Sequence, residues 1–256
     1  MARCHVLLND AECADFSYWS KIALSLDSAS PAVIEFMARV YRNYAALMRC
    51  AGAPERDHPG GKLLYAGKLD EAGIAPTVAA NIAGAATLIA TADQAASRQA
   101  MREGTVDFVV TTLDEALRIL KNQIRKCEPV SVCVGAAPED IEREMFDRGV
   151  EPDLLPARDC APTSLHAEFV ALGARRIEPQ PFAAGQTLFT VEIPAAQPRV
   201  AARIEEILAG SLAADDHVNR RWLRLSPRYL GSHARRMRSV VCGWSAAAAL
   251  MEKLNS

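Results

Sequence analysis

Short apolar runs recur along the middle of the chain at nearly constant spacing: KLLYA (62–66), ATLIA (86–90), VDFVV (106–110), PVSVCV (129–134) and a shorter DLL (153–155). Their starts lie about 20 to 24 residues apart, the length of a strand plus the helix that carries the chain back to a parallel neighbour. The intervening segments have helical patterns. In TTLDEALRILKNQIRK, Leu113, Leu117, Leu120 and Ile124 fall on one stripe, and Thr112 and Glu115 have capping-box spacing. In APEDIEREMFDRGV, acids load the first turn and Gly149 can close the last. This alternation predicts an α/β protein with a Rossmann-like, doubly wound parallel sheet and helices on both faces.

The flanks read differently. SASPAVIEFMARVYRNYAALMRCAG predicts a helix: Ser30 can cap it, Pro31 fits its first position, Gly52 can close it, and Val33, Phe36, Met37, Val40, Tyr44 and Leu47 share a face. The loop APERDHPGG (53–61) marks a boundary. Beyond residue 160 the period changes, and QTLFTVEIP (186–194) alternates as a half-buried strand would. A helix is expected at about 198–209, followed by a tail, SPRYLGSHARRMRSVVCGWSAAAALMEKL, of helical composition. The expected organisation is an N-terminal helical segment (1–60), a Rossmann-like core (61–180), and a strand with C-terminal helices packing on that core (181–256).

Composition narrows the class. Half of the 256 residues are apolar and 23% are charged, as in ordinary globular proteins, and the formal net charge of -2 argues against nucleic acid as a partner. The apolar run near the N-terminus is too short for a signal-peptide core, and Asp10, Glu12 and Asp15 follow it. No apolar stretch reaches membrane-spanning length; TVAANIAGAATLIATA (77–92) contains Asn81 and ends too soon. A soluble, cytoplasmic protein is expected, with its seven cysteines reduced. Cys4, His5 and Cys13 lack the second cluster that a metal site needs, so no metal is expected.

Residues 63–155 resemble the NAD-binding domain of urocanase (urocanate hydratase), in the order of elements and in the strings AP followed by ANIAGA (75–85), REGTVD (102–107), TLDEALR (112–118) and RGVEPDLL (148–155). The resemblance implies an NAD+ that acts as an electrophile toward urocanate, with water added and no net redox change. It also implies where the cofactor would bind: Gly67, Lys68 and Gly73 in YAGKLDEAGIAP for the diphosphate, and Thr91 or Asp93 for the ribose. The loop departs from the pattern, because Asp70 and Glu71 put two negative charges where phosphates would lie. PARDCAPTSLHAEF, which follows PDLL, holds Asp159, Cys160, Ser164 and His166 in a different order from the family's active-site segment.

Two groups of residues carry candidate chemistry. Asp159 and His166, on a loop after a strand's C-terminal end, can be read as an acid/base pair, or His166 as the first turn of a helix capped by Thr163 or Ser164. The C-terminal arginines, Arg224, Arg228 and Arg235 among them, can bind a substrate carboxylate or form a solvated face that pairs with acids elsewhere. The expected function is a diverged urocanase-like protein that binds a nucleotide or small anionic metabolite at the C-terminal edge of the sheet. The alternatives are an NAD-dependent hydro-lyase acting on urocanate or a similar unsaturated acid, and a non-catalytic structural or interaction module, as a homodimer with its cleft filled by side chains.

Overall fold

The computed structural model describes residues 3–6, 31–50, 58–157, 164–193, 198–234 and 236–255. The chain runs β1 (Arg3–Val6), α1 (Pro31–Cys50), β2 (Leu63–Lys68), α2 (Glu71–Ala83), β3 (Ala86–Ala90), α3 (Gln94–Glu103), β4 (Phe108–Val110), α4 (Leu113–Lys126), β5 (Val130–Val134), α5 (Pro138–Asp147), β6 (Leu154–Pro156), α6 (Ser164–Ala171), β7 (Arg175–Ile177), β8 (Gln186–Glu192), α7 (Pro198–Gly210), α8 (His217–Tyr229), α9 (Gly231–Ala234), β9 (Met237–Gly243) and α10 (Trp244–Asn255). It divides into two compact units, Val40–Gln180 and Met1–Arg39 with Pro181–Ser256.

The first unit is built on a six-stranded sheet, order β4-β5-β3-β2-β6-β7, with every pair parallel. The five apolar runs of the central pattern each supply a strand. β7 is a sixth that RRI, short and charged, does not announce; its first two residues are exposed, and the sheet ends there. Leu63, Tyr65, Leu88, Val130, Val132 and Leu155 point to one face, under Leu113, Leu117 and Leu120 of α4, Ile141 and Met145 of α5, and Phe169 of α6. α2 covers the opposite face, where Asn81 Nδ2 donates to the hydroxyl of Ser131 at 3.2 Å. Its small residues, Ala75, Ala79, Ala80 and Ala83, are buried, so helix and sheet pack closely. Gly84, in the left-handed region at φ 99°, ends the helix and donates to Ala80 O at 2.8 Å.

Sequence signals are met at the ends of α4 and α5. Thr112 Oγ1 accepts from Glu115 N, as the capping box predicts, but the return bond goes to Thr111, whose backbone N and hydroxyl both donate to Glu115 Oε2. Gly149 takes φ 63° after α5. The residues that flank α1, Ser30 and Gly52, lie outside the described residues. Met37, Val40, Tyr44 and Leu47 of α1 are buried, and Arg175 ties its C-terminus to β7 by donating to Cys50 O at 3.1 Å.

The second unit holds an antiparallel sheet, β1-β8-β9, whose apolar face, Phe189, Val191 and Val240, packs with Ile204 and Leu208 of α7, Leu223 of α8 and Leu250 of α10. The tail is helical apart from β9. MRSVVCG sits between helical stretches, and its register against β8 (Leu188 opposite Val241, Thr190 opposite Ser239) is what makes it a strand.

Candidate functional site

In a parallel sheet the helices begin beyond the C-terminal ends of the strands, and ligands bind there, where neighbouring strands send their crossovers to opposite faces. β2 leads to α2 on one face and its neighbour β6 leads to α6 on the other. The loop YAGKLDEAGIAP lies at this position. Gly67 has φ 73°, and the register with β3 shifts between Tyr65 and Gly67, so the glycine forms an irregularity at the end of the strand. Lys68 is exposed, while Leu69 is buried and donates to Ala90 O at 2.9 Å.

Asp70 is the N-cap of α2. Its Oδ1 accepts from Ala72 N at 3.1 Å and from Gly73 N at 2.9 Å. Gly73 is buried in the first turn, and its carbonyl accepts the Thr77 hydroxyl at 2.7 Å. At the end of β3, Thr91 is buried and its hydroxyl accepts from Asp93 N at 3.1 Å. Asp93 does not reach back: its Oδ1 caps α3, accepting from Ala95 N at 2.7 Å and Ala96 N at 3.2 Å. The first turns of α4 and α5 add Asp114, Glu115, Glu139 and Asp140.

His166 stands in the first turn of α6, as one of its two sequence readings has it. Asp159, Cys160 and Thr163 lie outside the described residues. The acid that His166 does meet is Glu142 of α5, with His166 Nε2 3.3 Å from Glu142 Oε1, a contact not oriented as a hydrogen bond. Glu142 is buried, and His166 keeps 16% of its side-chain surface exposed although its Nε2 is wholly covered, so that exposure belongs to the rest of the side chain. The rings of Tyr65 of β2 and His166 are T-shaped to each other with centroids 6.3 Å apart, and the Tyr65 hydroxyl donates to Pro138 O at 3.2 Å. Glu142 and Tyr65 were not readable as site residues. Glu142 lies in an acid-rich helix with nothing to separate it from Glu139 or Glu144, and Tyr65 looks like a strand's core position.

Cys133 is buried in β5, and burial pushes its thiol up to about 11, partly offset by a hydrogen bond from the Thr91 backbone N–H. It is therefore protonated at neutral pH and not a nucleophile. In the other unit, Arg236 pairs with Glu192 at 3.1 Å, Arg238 with Glu205, and Arg220 donates to the carbonyls of Leu212 and Ala213, each at 2.9 Å. These acids and carbonyls belong to the arginines' own unit. Arg224 and Arg228 are exposed, Arg228 lying over the Tyr229 ring at 5.2 Å, and Arg235 is outside the described residues. Among the described residues no group of three His, Cys, Asp or Glu side chains is placed to hold a metal ion, and no helix is long and apolar enough to cross a membrane.

With this geometry in place, comparison with known families gives a match over residues 40–172 to the Urocanase Rossmann-like domain. The matched span runs from Val40 in α1 through β2 to β6, five of the six strands of the parallel sheet, to the end of α6, and β7 lies just beyond it.

Proposed function

The chain belongs to the urocanase Rossmann-like domain family, and from that premise we propose that it binds a small ligand at the C-terminal ends of β2 and β6. One observation carries this reading: Tyr65, Glu142 and His166 come together from three separate elements beside the point where the crossovers of β2 and β6 diverge. A buried carboxylate is costly without a partner, and the partner that Glu142 meets is an imidazole that is itself partly exposed. In this reading His166 touches the ligand with its uncovered edge. Glu142 is a positioning residue that lies against Nε2, and Tyr65 packs on the ring from the sheet side. The pair then supplies an imidazole held in place beside the site, the kind of group that proton transfer to a small unsaturated acid requires.

The test is thermal unfolding of the full chain with urocanate and a panel of small unsaturated acids, repeated for His166→Ala and Glu142→Gln. Ligand at a hundredfold its Kd adds about 2.7 kcal/mol, which shifts Tm by several degrees. The expected result is a saturable shift with at least one acid, lost in His166→Ala and reduced in Glu142→Gln. A shift that survives His166→Ala would move the site elsewhere. No shift with any acid would favour a non-catalytic interaction module.

A further inference from the structure

In urocanase this domain binds NAD. We infer that in this chain Asp70 takes the place of the dinucleotide's diphosphate, so that the domain does not accept NAD. The inference stands on the loop alone and does not depend on the small-ligand reading. Dinucleotide sites of this fold receive the diphosphate on the free backbone N–H groups at the N-terminus of the first crossover helix, and glycines let it approach closely. Here that helix is α2, and two of those donors, Ala72 N and Gly73 N, are held by the Asp70 carboxylate at 3.1 and 2.9 Å. A diphosphate could displace the carboxylate only by breaking both bonds and placing its charge beside Asp70 and Glu71. The remaining glycines do not offset this, because Gly67 serves the irregularity at the end of β2 and Gly73 is buried within the helix.

A second observation agrees independently. The acid that would hold a ribose, at the end of β3, is also committed: Asp93 caps α3, and the Thr91 hydroxyl accepts the Asp93 backbone N–H. Both anchoring positions for a dinucleotide are therefore filled by carboxylates that satisfy helix N-termini within the chain. Glu139 and Asp140 in the first turn of α5 add further negative charge in the turns that follow the strands.

The experiment is isothermal titration of the full chain with NAD+ and, separately, ADP, for the natural protein, Asp70→Gly/Glu71→Gly and Asp70→Asn. Glycine is tolerated at N-cap positions, and asparagine keeps the capping acceptor while removing the charge, so at least one variant folds. The expected result is no saturable heat for the natural chain at millimolar ligand, with binding at least tenfold tighter in the double glycine variant and a smaller gain in Asp70→Asn. Micromolar binding of NAD+ by the natural chain would overturn the inference. So would a double glycine variant that binds neither ligand better than the natural chain. A failed small-acid screen would leave both results standing, because that screen turns on His166 and this titration on Asp70.

Discussion

Single carboxylates do different work according to what meets them. Asp114 and Glu115 are neighbours in the first turn of α4, and both are held below the usual carboxylate range: Asp114 by its hydrogen bond to the Arg148 guanidinium and then by that group's charge, Glu115 by the Thr111 backbone N–H and hydroxyl. A carboxyl whose pKa is lower folded than unfolded stabilises the protein above its unfolded value, roughly pH 4, and loses that contribution as pH falls through the folded value. Urea unfolding midpoints should therefore fall as the pH drops below about 4, and less steeply in Asp114→Asn/Glu115→Gln than in the natural chain. Superimposable curves would mean that these exposed pairs contribute nothing measurable. Asp70 looks the same as Asp114 in the sequence, an acid at a helix start, and charge alone marks it as hostile to phosphate. That its oxygen already occupies the donors is a matter of χ angles and loop conformation, which no residue pattern specifies. For the same reason the acid facing His166 could not be picked from the acids of α5.

The strings that make the family legible are largely clasps between elements. In REGTVD, Gly104 ends α3 at φ 78°, and Asp107 is tied to Ser131: Asp107 N donates to Ser131 Oγ at 3.1 Å, and Ser131 N to Asp107 Oδ2 at 2.8 Å. In RGVEPDLL, Asp153 accepts from Leu63 N at 2.9 Å and from Lys62 Nζ at 2.7 Å, fixing β6 beside β2. Both clasps sit at the N-terminal ends of strands, away from the edge where ligands bind, so a chain can keep them while its binding loop changes. The parallel core was readable because apolar runs recur at the length of a strand and crossover, whereas β7 was not, because RRI is short and charged, and β9 was not, because MRSVVCG lies between helical stretches and is made a strand by its pairing with β8. β9 shows a further long-range device. The side chain of Asn219 on α8 accepts from Val241 N at 3.1 Å and donates to Val241 O at 3.3 Å, pairing the strand edge as another strand would. Asn219→Ala leaves both buried backbone groups without that partner and should cost about 2 to 4 kcal/mol, read as a lower midpoint in denaturant. A loss within 0.5 kcal/mol, the size of an ordinary surface change, would mean that water replaces the amide.

At the scale of the chain, each unit carries its own core. The cluster around Leu88, Val132 and Leu113 draws only on residues between Leu63 and Ala174, and the cluster around Phe189, Val240 and Leu250 draws on β8, β9, α7, α8 and α10 with Cys4. Hydrophobic stabilisation follows the contacts a side chain makes, so truncating one core acts first on the elements that share it. Leu88→Ala and Phe189→Ala, each at a fully buried position, should cost about 2 to 5 and 3 to 5 kcal/mol. Native-state hydrogen exchange resolves where that loss falls, since opening free energies are read amide by amide. Leu88→Ala should speed exchange in β2, β3 and β5 while leaving β8 and β9 at their natural rates, and Phe189→Ala should do the reverse. Equal acceleration in both sets of strands by either substitution would show that the two cores open as one cooperative block. In that case a ligand bound at the ends of β2 and β6 would protect β8 and β9 as well, whereas with separate opening its protection would stop at the parallel sheet.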